Sequence, residues 1–280
     1  MSNAATLPHY NRVPEVTFDF WLIKLMAVTM GETAADYLGV NLGLGLTKTS
    51  LLMGGVLLVA LWFQFRQKRY VPWAYWLAVV LISIVGTLVT DNLVDNFGVP
   101  LWTTTIIFTV ALAATFALWY NSEKTLSIHS IFTNKREAFY WLAILFTFAL
   151  GTAAGDLVAE HFGLGYMATG VLFGIIIASL SLGYFSLGLD AILGFWLVYI
   201  LTRPLGASFG DFLSQPKEYG GLALGTIITS VIFLGAIAAL VAYMSFKQGR
   251  GFGNLRATHF QIESALGSQI SWDVIQGLWR

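Results

Sequence analysis

Long apolar segments recur along the whole chain, and each is about as long as a membrane is thick. A helix needs roughly 20 residues to cross the hydrocarbon core of a bilayer. Segments of about this length lie at 18–36, 46–65, 73–90, 101–120, 139–155, 166–187, 191–205 and 222–246. Because a helix satisfies all its backbone hydrogen bonds internally, it is suited to lipid. The sequence therefore predicts an all-α integral membrane protein with about eight transmembrane helices and the lipid bilayer as its partner.

The composition agrees with this prediction. Only 11% of the 280 residues are charged, whereas 57% are hydrophobic. A soluble domain carries about 25% charged residues, because most of its surface faces water. The 15 basic and 15 acidic residues balance, so no basic excess indicates a nucleic-acid partner. Cysteine is absent, which excludes disulfides, thiolate metal sites and thiol nucleophiles.

The basic residues are divided unequally between the two ends of the predicted helices. Two of them, Lys48 and Lys217, lie at one end, and eleven lie at the other. The eleven are Arg12, Arg66, Lys68, Arg69, Lys124, Lys135, Arg136, Lys247, Arg250, Arg256 and Arg280. Because Lys and Arg are enriched in cytoplasmic loops, both termini are expected in the cytoplasm. An N-terminal segment, 1–15, and a tail, 247–280, would then flank a membrane domain at 16–246.

One motif occurs four times along the membrane domain. An aromatic-Trp-Leu tripeptide is followed ten residues after the Trp by a Gly, and five residues later by an Asp. The members are Trp21, Gly31 and Asp36; Trp76, Gly86 and Asp91; Trp141, Gly151 and Asp156; and Trp196, Gly206 and Asp211. The approximate repeats are 16–70, 71–125, 136–188 and 191–246. Each would hold two helices, so all four insert in the same orientation, as parallel repeats about an axis along the membrane normal.

These residues resemble a bacterial family of integral membrane proteins that consist of four tandem two-helix repeats of unknown function. The resemblance extends over roughly 16–246 and depends on the four aromatic-Trp-Leu units with their downstream Gly and Asp. It implies a multi-pass protein of the bacterial plasma membrane. It implies no substrate and no cofactor.

Acidic residues accumulate near the ends of the first helices. Three pairs are four residues apart, one helical turn, so both members share a helix face. The candidates for a cation pathway are Glu32, Asp36, Asp91, Asp95, Asp156, Glu160 and Asp211. Such like charges repel each other, which favours a shared proton or a cation between them. A purely structural alternative is that the aspartates contact loop backbone N–H groups.

Several other polar residues accompany these acids. Lys24 and Arg203 lie within the helices, and we expect each to pair with an acid on a neighbouring helix. Thr87 and Thr152 lie one turn before their aspartates, where their hydroxyls could add ligands. His161 is interpreted as an interfacial residue and not as a ligand. A threonine also begins each second helix, as a cap or, less favoured, as a ligand. These are Thr49, Thr104, Thr169 and Thr226.

A buried charge in lipid costs at least about 2.5–3.5 kcal/mol, so several such acids indicate a functional role. Carboxylate and hydroxyl oxygens suit hard cations such as Mg²⁺, Mn²⁺ or a proton. The sequence therefore favours a membrane transporter or exporter of a small inorganic cation, either a divalent metal or a proton-coupled substrate. A membrane scaffold or sensor is the alternative. An intramembrane enzyme is disfavoured, since no nucleophile and base are paired. A homo-oligomer is compatible with the sequence.

Overall fold

The computed structural model describes residues 10–41 and 43–248, and these form eight α-helices. They are α1 (Phe18–Asp36), α2 (Leu46–Phe65), α3 (Pro72–Asp91), α4 (Leu101–Glu123), α5 (Asn134–Asp156), α6 (Tyr166–Leu187), α7 (Ala191–Ser214) and α8 (Thr226–Gln248). Seven of them, α2 to α8, are long and apolar enough to cross a membrane. Helix α1 has 19 residues but carries four charged side chains, from Asp19 to Asp36.

The helix bounds agree closely with the sequence prediction except at the start of α5, which begins at Asn134 and not at 139, and near the C-terminal end of the membrane domain. Helix α7 continues past Pro204 to Ser214, nine residues beyond the predicted end at Leu205. It continues because Gly206 and Gly210 keep this part of α7 in contact with α1. Helix α8 begins at Thr226, later than predicted. Of the predicted tail 247–280, all but the first two residues lie outside the described part, as do residues 1–9.

The first helix of each repeat lies inside the bundle, and the second lies outside it. Helices α1, α3, α5 and α7 contact one another in that order, and α7 contacts α1, which closes the ring. Each second helix packs on the first helix of the next repeat: α2 on α3, α4 on α5 and α6 on α7. Helix α8 completes the pattern on α1, where the hydroxyls of Thr33 and Ser230 are 2.7 Å apart.

Burial shows the same division. In an apolar 18-residue stretch of each span, 44–72% of the residues are buried for α3, α5 and α7, against 6–22% for α2, α4, α6 and α8. The exposed side chains of the outer helices, such as Leu58, Val110 and Phe185, are large and apolar. The fold is thus an inner ring of four helices with a lipid-facing shell, arranged with pseudo-fourfold symmetry about the ring axis.

The motif glycines set the spacing of the inner ring. A Cβ on any of the four would overlap a residue of the next inner helix, and that residue always lies three positions before the next motif glycine. The contacts are Gly31 with Ser83, Gly86 with Phe148, Gly151 with Arg203 and Gly206 with Val28. Small residues let helix backbones approach closely in lipid.

The four aromatic-Trp-Leu units gather at one end of the ring, which we name the aromatic end. Trp76, Trp141 and Trp196 are at most 4% exposed. The hydroxyls of Tyr75 and Tyr140 lie 2.5 Å apart in the same layer. These three tryptophans face the bundle interior, where Trp141 packs on Tyr75 and Trp196 on Tyr140.

The described part of the N-terminal segment holds the aromatic end together. The Asn11 carbonyl accepts a hydrogen bond from the Tyr70 N–H, and the Arg12 N–H donates to the Ile131 carbonyl. The Arg12 guanidinium lies 2.8 Å from the Glu137 carboxylate, whose side chain is fully buried. These contacts join the N-terminal segment to the α2–α3 and α4–α5 connections, which close the bundle beneath the aromatic layer.

Candidate acidic cavity

A cavity of about 140 Å³ opens at the other end of the ring, which we name the acidic end. All seven acidic residues that the sequence singled out line it, and they come from all four repeats. They are Glu32, Asp36, Asp91, Asp95, Asp156, Glu160 and Asp211. The remaining lining residues include Tyr166 and Gln215.

The four motif aspartates form one level of this cavity. Each lies five residues after a motif glycine, and these glycines pack at equivalent positions around the ring. The same offset along four parallel helices brings Asp36, Asp91, Asp156 and Asp211 to the same height. Asp211 is the most enclosed, with 6% of its surface exposed. The pseudo-symmetry thus converts a sequence offset into a ring of carboxylates.

The outer wall of the cavity is built from widened helical turns. After Asp36, Asp91 and Asp156 the inner helices continue as π-helical segments, Tyr37–Asn41, Asn92–Asn96 and Leu157–His161. Such turns are frequent at functional sites in proteins. Two of them carry the exposed acids Asp95 and Glu160. These acids lie at the mouth of the cavity, so the acidic end is the open one.

The fourth repeat departs from this geometry. Helix α7 ends at Ser214 without a π-helical segment, and a longer connection leads to α8. Its Gln215 replaces the second acid and donates to the Asp36 carboxylate at 3.3 Å. The Tyr166 hydroxyl donates similarly to Glu160 at 3.1 Å. Neither Gln215 nor Tyr166 was predicted as a partner, because Gln215 reaches Asp36 through the packing of α7 on α1, and Tyr166 reaches Glu160 from the start of α6.

The structural alternative for the motif aspartates finds no support in the contacts. Among the described residues, Gln215 is the only group that hydrogen-bonds the side chain of a motif aspartate. In these ranges no backbone N–H donates to the side-chain carboxylate of a motif aspartate; the Gln215 N–H donates to the main-chain carbonyl of Asp211 and not to its carboxylate. The carboxylates therefore face the cavity and do not cap a loop.

The inner end of the cavity is closed by an ion pair. The Arg203 guanidinium lies 2.7 Å from the Glu32 carboxylate, and both side chains are almost completely buried. The pair joins the fourth repeat to the first, on neighbouring helices, as expected for Arg203. The two ends of the cavity are thus unequal, with exposed acids at the mouth and a neutralised acid at the base.

The expectation that Lys24 pairs with an acid is wrong for the described contacts. Its ammonium donates to the Tyr199 carbonyl at 3.0 Å and to the Thr202 hydroxyl. It also lies 3.9 Å from the centroid of the Tyr199 ring, a cation–π distance. Lys24 is held here because it lies two turns before Glu32 and faces the neighbouring α7 on the aromatic side of Arg203.

The threonine predictions also need correction. The hydroxyls of Thr87 and Thr152 both accept hydrogen bonds from Arg203, so in this structure the guanidinium occupies them. The helix-start threonines are not caps: Thr49 lies four residues after the N-cap Gly45, and its hydroxyl donates to the Leu38 carbonyl at 3.2 Å.

The fourth member of the helix-start set was wrongly aligned. A buried threonine is the fourth residue of each second helix. Its N–H group donates to the carbonyl of the residue that immediately precedes the helix. The set is Thr49, Thr104, Thr169 and Thr229. Thr226 was predicted instead, because the longer connection of the fourth repeat shifts the register. The loop glycines Gly43 and Gly45, with φ of 67° and 76°, make the tight turn into α2.

The cavity does not hold a preformed metal cage. Over 10–41 and 43–248, no three Asp, Glu or His side chains are placed to bind one metal ion. His161 is exposed and lies against Phe162, outside the cavity lining.

Comparison with known proteins gives one result. A family model described as Repeat of Unknown Function (DUF347) matches residues 20–70, 74–125, 139–187 and 194–250. Its four matches coincide with the four structural repeats. No match was found among curated proteins or among solved structures.

Proposed function

The chain belongs to the DUF347 repeat family, and from the cavity that its four repeats build we propose that it is a membrane transporter of a hard cation. The substrate is either a hydrated divalent metal ion or a cation whose transport is coupled to protons. The observation that carries the proposal is the convergence of seven acidic side chains, from all four repeats, on one cavity.

The charge of the cavity supports attraction of cations. The inner helices bring seven carboxyl groups to it, and Arg203 neutralises one of them at the base. Lys24 lies beyond Arg203 and contacts no acid among the described residues. A cleft lined by one sign of charge between low-dielectric walls concentrates counter-ions. The cavity is therefore a place where cations accumulate within the membrane-spanning part of the chain.

The shape of the bundle supports a transporter rather than an open channel. The acidic end is open through Asp95 and Glu160, whereas the aromatic end is closed by buried rings such as Trp76 and Tyr140. A path across the bundle thus requires a rearrangement. From the bias of basic residues, we place the aromatic end and both termini in the cytoplasm and the acidic cavity on the outer face of a bacterial plasma membrane.

Flux through reconstituted protein tests the proposal. Asp91→Asn and Asp156→Asn remove a cavity charge while keeping the shape and one acceptor. Contacts to charged groups contribute roughly 1.5–3 kcal/mol, so we expect a roughly tenfold to hundredfold weaker response to cation concentration. The matched control is Asp19→Asn, which neutralises an exposed aspartate at the aromatic end.

The outcome separates the alternatives. Mg²⁺, Mn²⁺ and proton flux are measured in proteoliposomes that contain wild type or each variant. A scaffold or sensor, or an intramembrane enzyme, gives no flux in wild type. If wild type carries a cation and both cavity variants carry it unchanged, the cavity is not the pathway.

A further inference from the structure

Arg203 breaks the pseudo-symmetry of the inner ring at one position. It lies three residues before Gly206, and the residues at the same offset in the other repeats are Val28, Ser83 and Phe148. Each of the four packs against the motif glycine of the preceding repeat. Only the fourth repeat therefore places a charged side chain at this level, and that side chain is fully buried.

The guanidinium contacts each of the other three inner helices. Its Nη2 atom lies 2.7 Å from Glu32 Oε2 and 2.8 Å from Thr152 Oγ1, and it also donates to Thr87 Oγ1. Thr87 in turn donates to Glu32 Oε2 at 3.1 Å. These three residues occupy the same offset, one position after the motif glycine, in repeats one, two and three. Three oxygens from three repeats thus surround one nitrogen.

Two backbone oxygens complete the surroundings. Arg203 Nε donates to the Phe148 carbonyl and Nη1 to the Val28 carbonyl, both at 3.3 Å. One carboxylate, two hydroxyls and two carbonyls are oxygen ligands of the kind that hard cations prefer. We propose that Glu32, Thr87 and Thr152 form an inner cation site, and that the Arg203 guanidinium fills it as a tethered cation which a substrate cation must displace.

The position of this inner site gives it a role in transport. Along α7, Arg203 lies between Asp211 at the cavity and Tyr199 on the way to the aromatic end. A cation that leaves the cavity towards the aromatic end therefore meets the guanidinium first. Displacing it from Glu32 would free an acidic ligand deeper in the bundle, so this step links the two ends of the path. This role rests on the proposed function, whereas the existence of the inner site does not.

A vacant inner site should bind a free cation. Arg203→Ala removes the tethered charge and leaves Glu32, Thr87 and Thr152 in place. We expect this variant to unfold at a lower temperature than wild type and to be stabilised by added Mg²⁺, Mn²⁺ or millimolar guanidinium. At roughly 100 times its Kd, a ligand should raise Tm by about 5–10 °C. The double variant Arg203→Ala with Glu32→Gln has the same space without the carboxylate and should show no such rise.

Two further variants control for packing and for loss of an ion pair. Arg203→Met keeps most of the side-chain volume, so it controls for poor packing in the alanine variant. It should show the same cation-dependent rise in Tm, and this rise should again require Glu32. Arg12→Ala breaks the Arg12–Glu137 ion pair at the aromatic end. It should lower Tm without creating a cation response.

The readout is thermal unfolding of purified protein in detergent, which needs no transport. A cation-dependent rise in Tm that requires Glu32 supports the inner site, whatever the flux measurements show. A rise that persists without Glu32, or no rise in either Arg203 variant, overturns it. Variants that stay unfolded with every cation also overturn it, because a bound cation should replace the lost charge.

Discussion

Arg203 in the fourth repeat and Glu32 in the first form a buried ion pair, with 2.7 Å between guanidinium nitrogen and carboxylate oxygen. The two residues are 171 positions apart in the chain, 203 against 32, and they meet because α7 packs against α1. The pair closes both the ring of inner helices and the base of the acidic cavity. It is therefore the contact through which stability and the proposed transport are linked.

Breaking this pair from the Glu32 side should destabilise the protein strongly. Glu32→Gln leaves the Arg203 guanidinium buried without a counter-charge, and removing one partner of such a pair costs roughly 3–5 kcal/mol. Adding Arg203→Met removes the orphaned charge, so the double variant should recover a large part of the loss. Thermal unfolding in detergent measures both effects. A double variant less stable than either single one would contradict this account of the pair.

The close approach of the inner helices should depend on the motif glycines. Gly86→Ala places a Cβ against the Phe148 side chain, and overpacking of this kind costs typically 1–3 kcal/mol. We expect a lower Tm in the same detergent assay. Gly54→Ala is the matched control, because a Cβ there meets no atom within 4 Å. Because alanine favours helix by up to about 1 kcal/mol relative to glycine, Gly54→Ala should not lower Tm. Equal losses of Tm in the two variants would refute the packing role of Gly86.

The repeat tryptophans should act on stability and not on transport. Trp196 donates its indole N–H to the Leu126 carbonyl at 2.9 Å, whereas the Trp21 indole has no hydrogen-bond partner among the described residues. Trp196→Phe should therefore cost about 1–3 kcal/mol, and Trp21→Phe less. Both variants should retain wild-type flux in proteoliposomes. Loss of flux in a stably folded variant would show that the aromatic end takes part in transport directly.

The orientation in the membrane can be tested directly, because the chain contains no cysteine. Single cysteines replace Lys68 and Lys135 at the aromatic end or Lys48 and Lys217 at the acidic end, all of which are exposed. A membrane-impermeant thiol reagent added to intact cells should label only the acidic-end pair. After lysis all four should react, which controls for accessibility. Labelling at position 68 from outside intact cells would contradict the proposed topology.

The acids singled out in the sequence lie together in the structure because repeat offsets are preserved in a helix. A fixed number of residues from glycine to aspartate becomes a fixed rise along each inner helix. Four equal offsets on helices of one orientation therefore bring Asp36, Asp91, Asp156 and Asp211 to one level without knowledge of the packing. The prediction for Thr226 was wrong because the longer fourth connection changes the offset, and Thr229 takes the equivalent place.

The partners of Lys24 and Arg203 illustrate the limit of that reasoning. Both were expected to meet acids on neighbouring helices, yet Lys24 contacts the Tyr199 carbonyl and Thr202. Arg203 meets Glu32 together with Thr87 and Thr152. Spacing along a helix gives the height of a side chain, whereas its partner depends on which helix lies beside it. That neighbour is defined only when the ring closes.

By itself, the sequence determined that the chain is a helical membrane protein with four parallel repeats and one acidic level, because length, charge and periodicity are local properties. Only the tertiary structure decided which helices lie inside and which face lipid. Hydropathy does not separate these two classes, since lipid tails are as apolar as a packed core and both kinds of helix are rich in Leu, Val, Ile and Phe. The distinction comes from the motif glycines, which let four first helices approach so closely that the second helices are left outside.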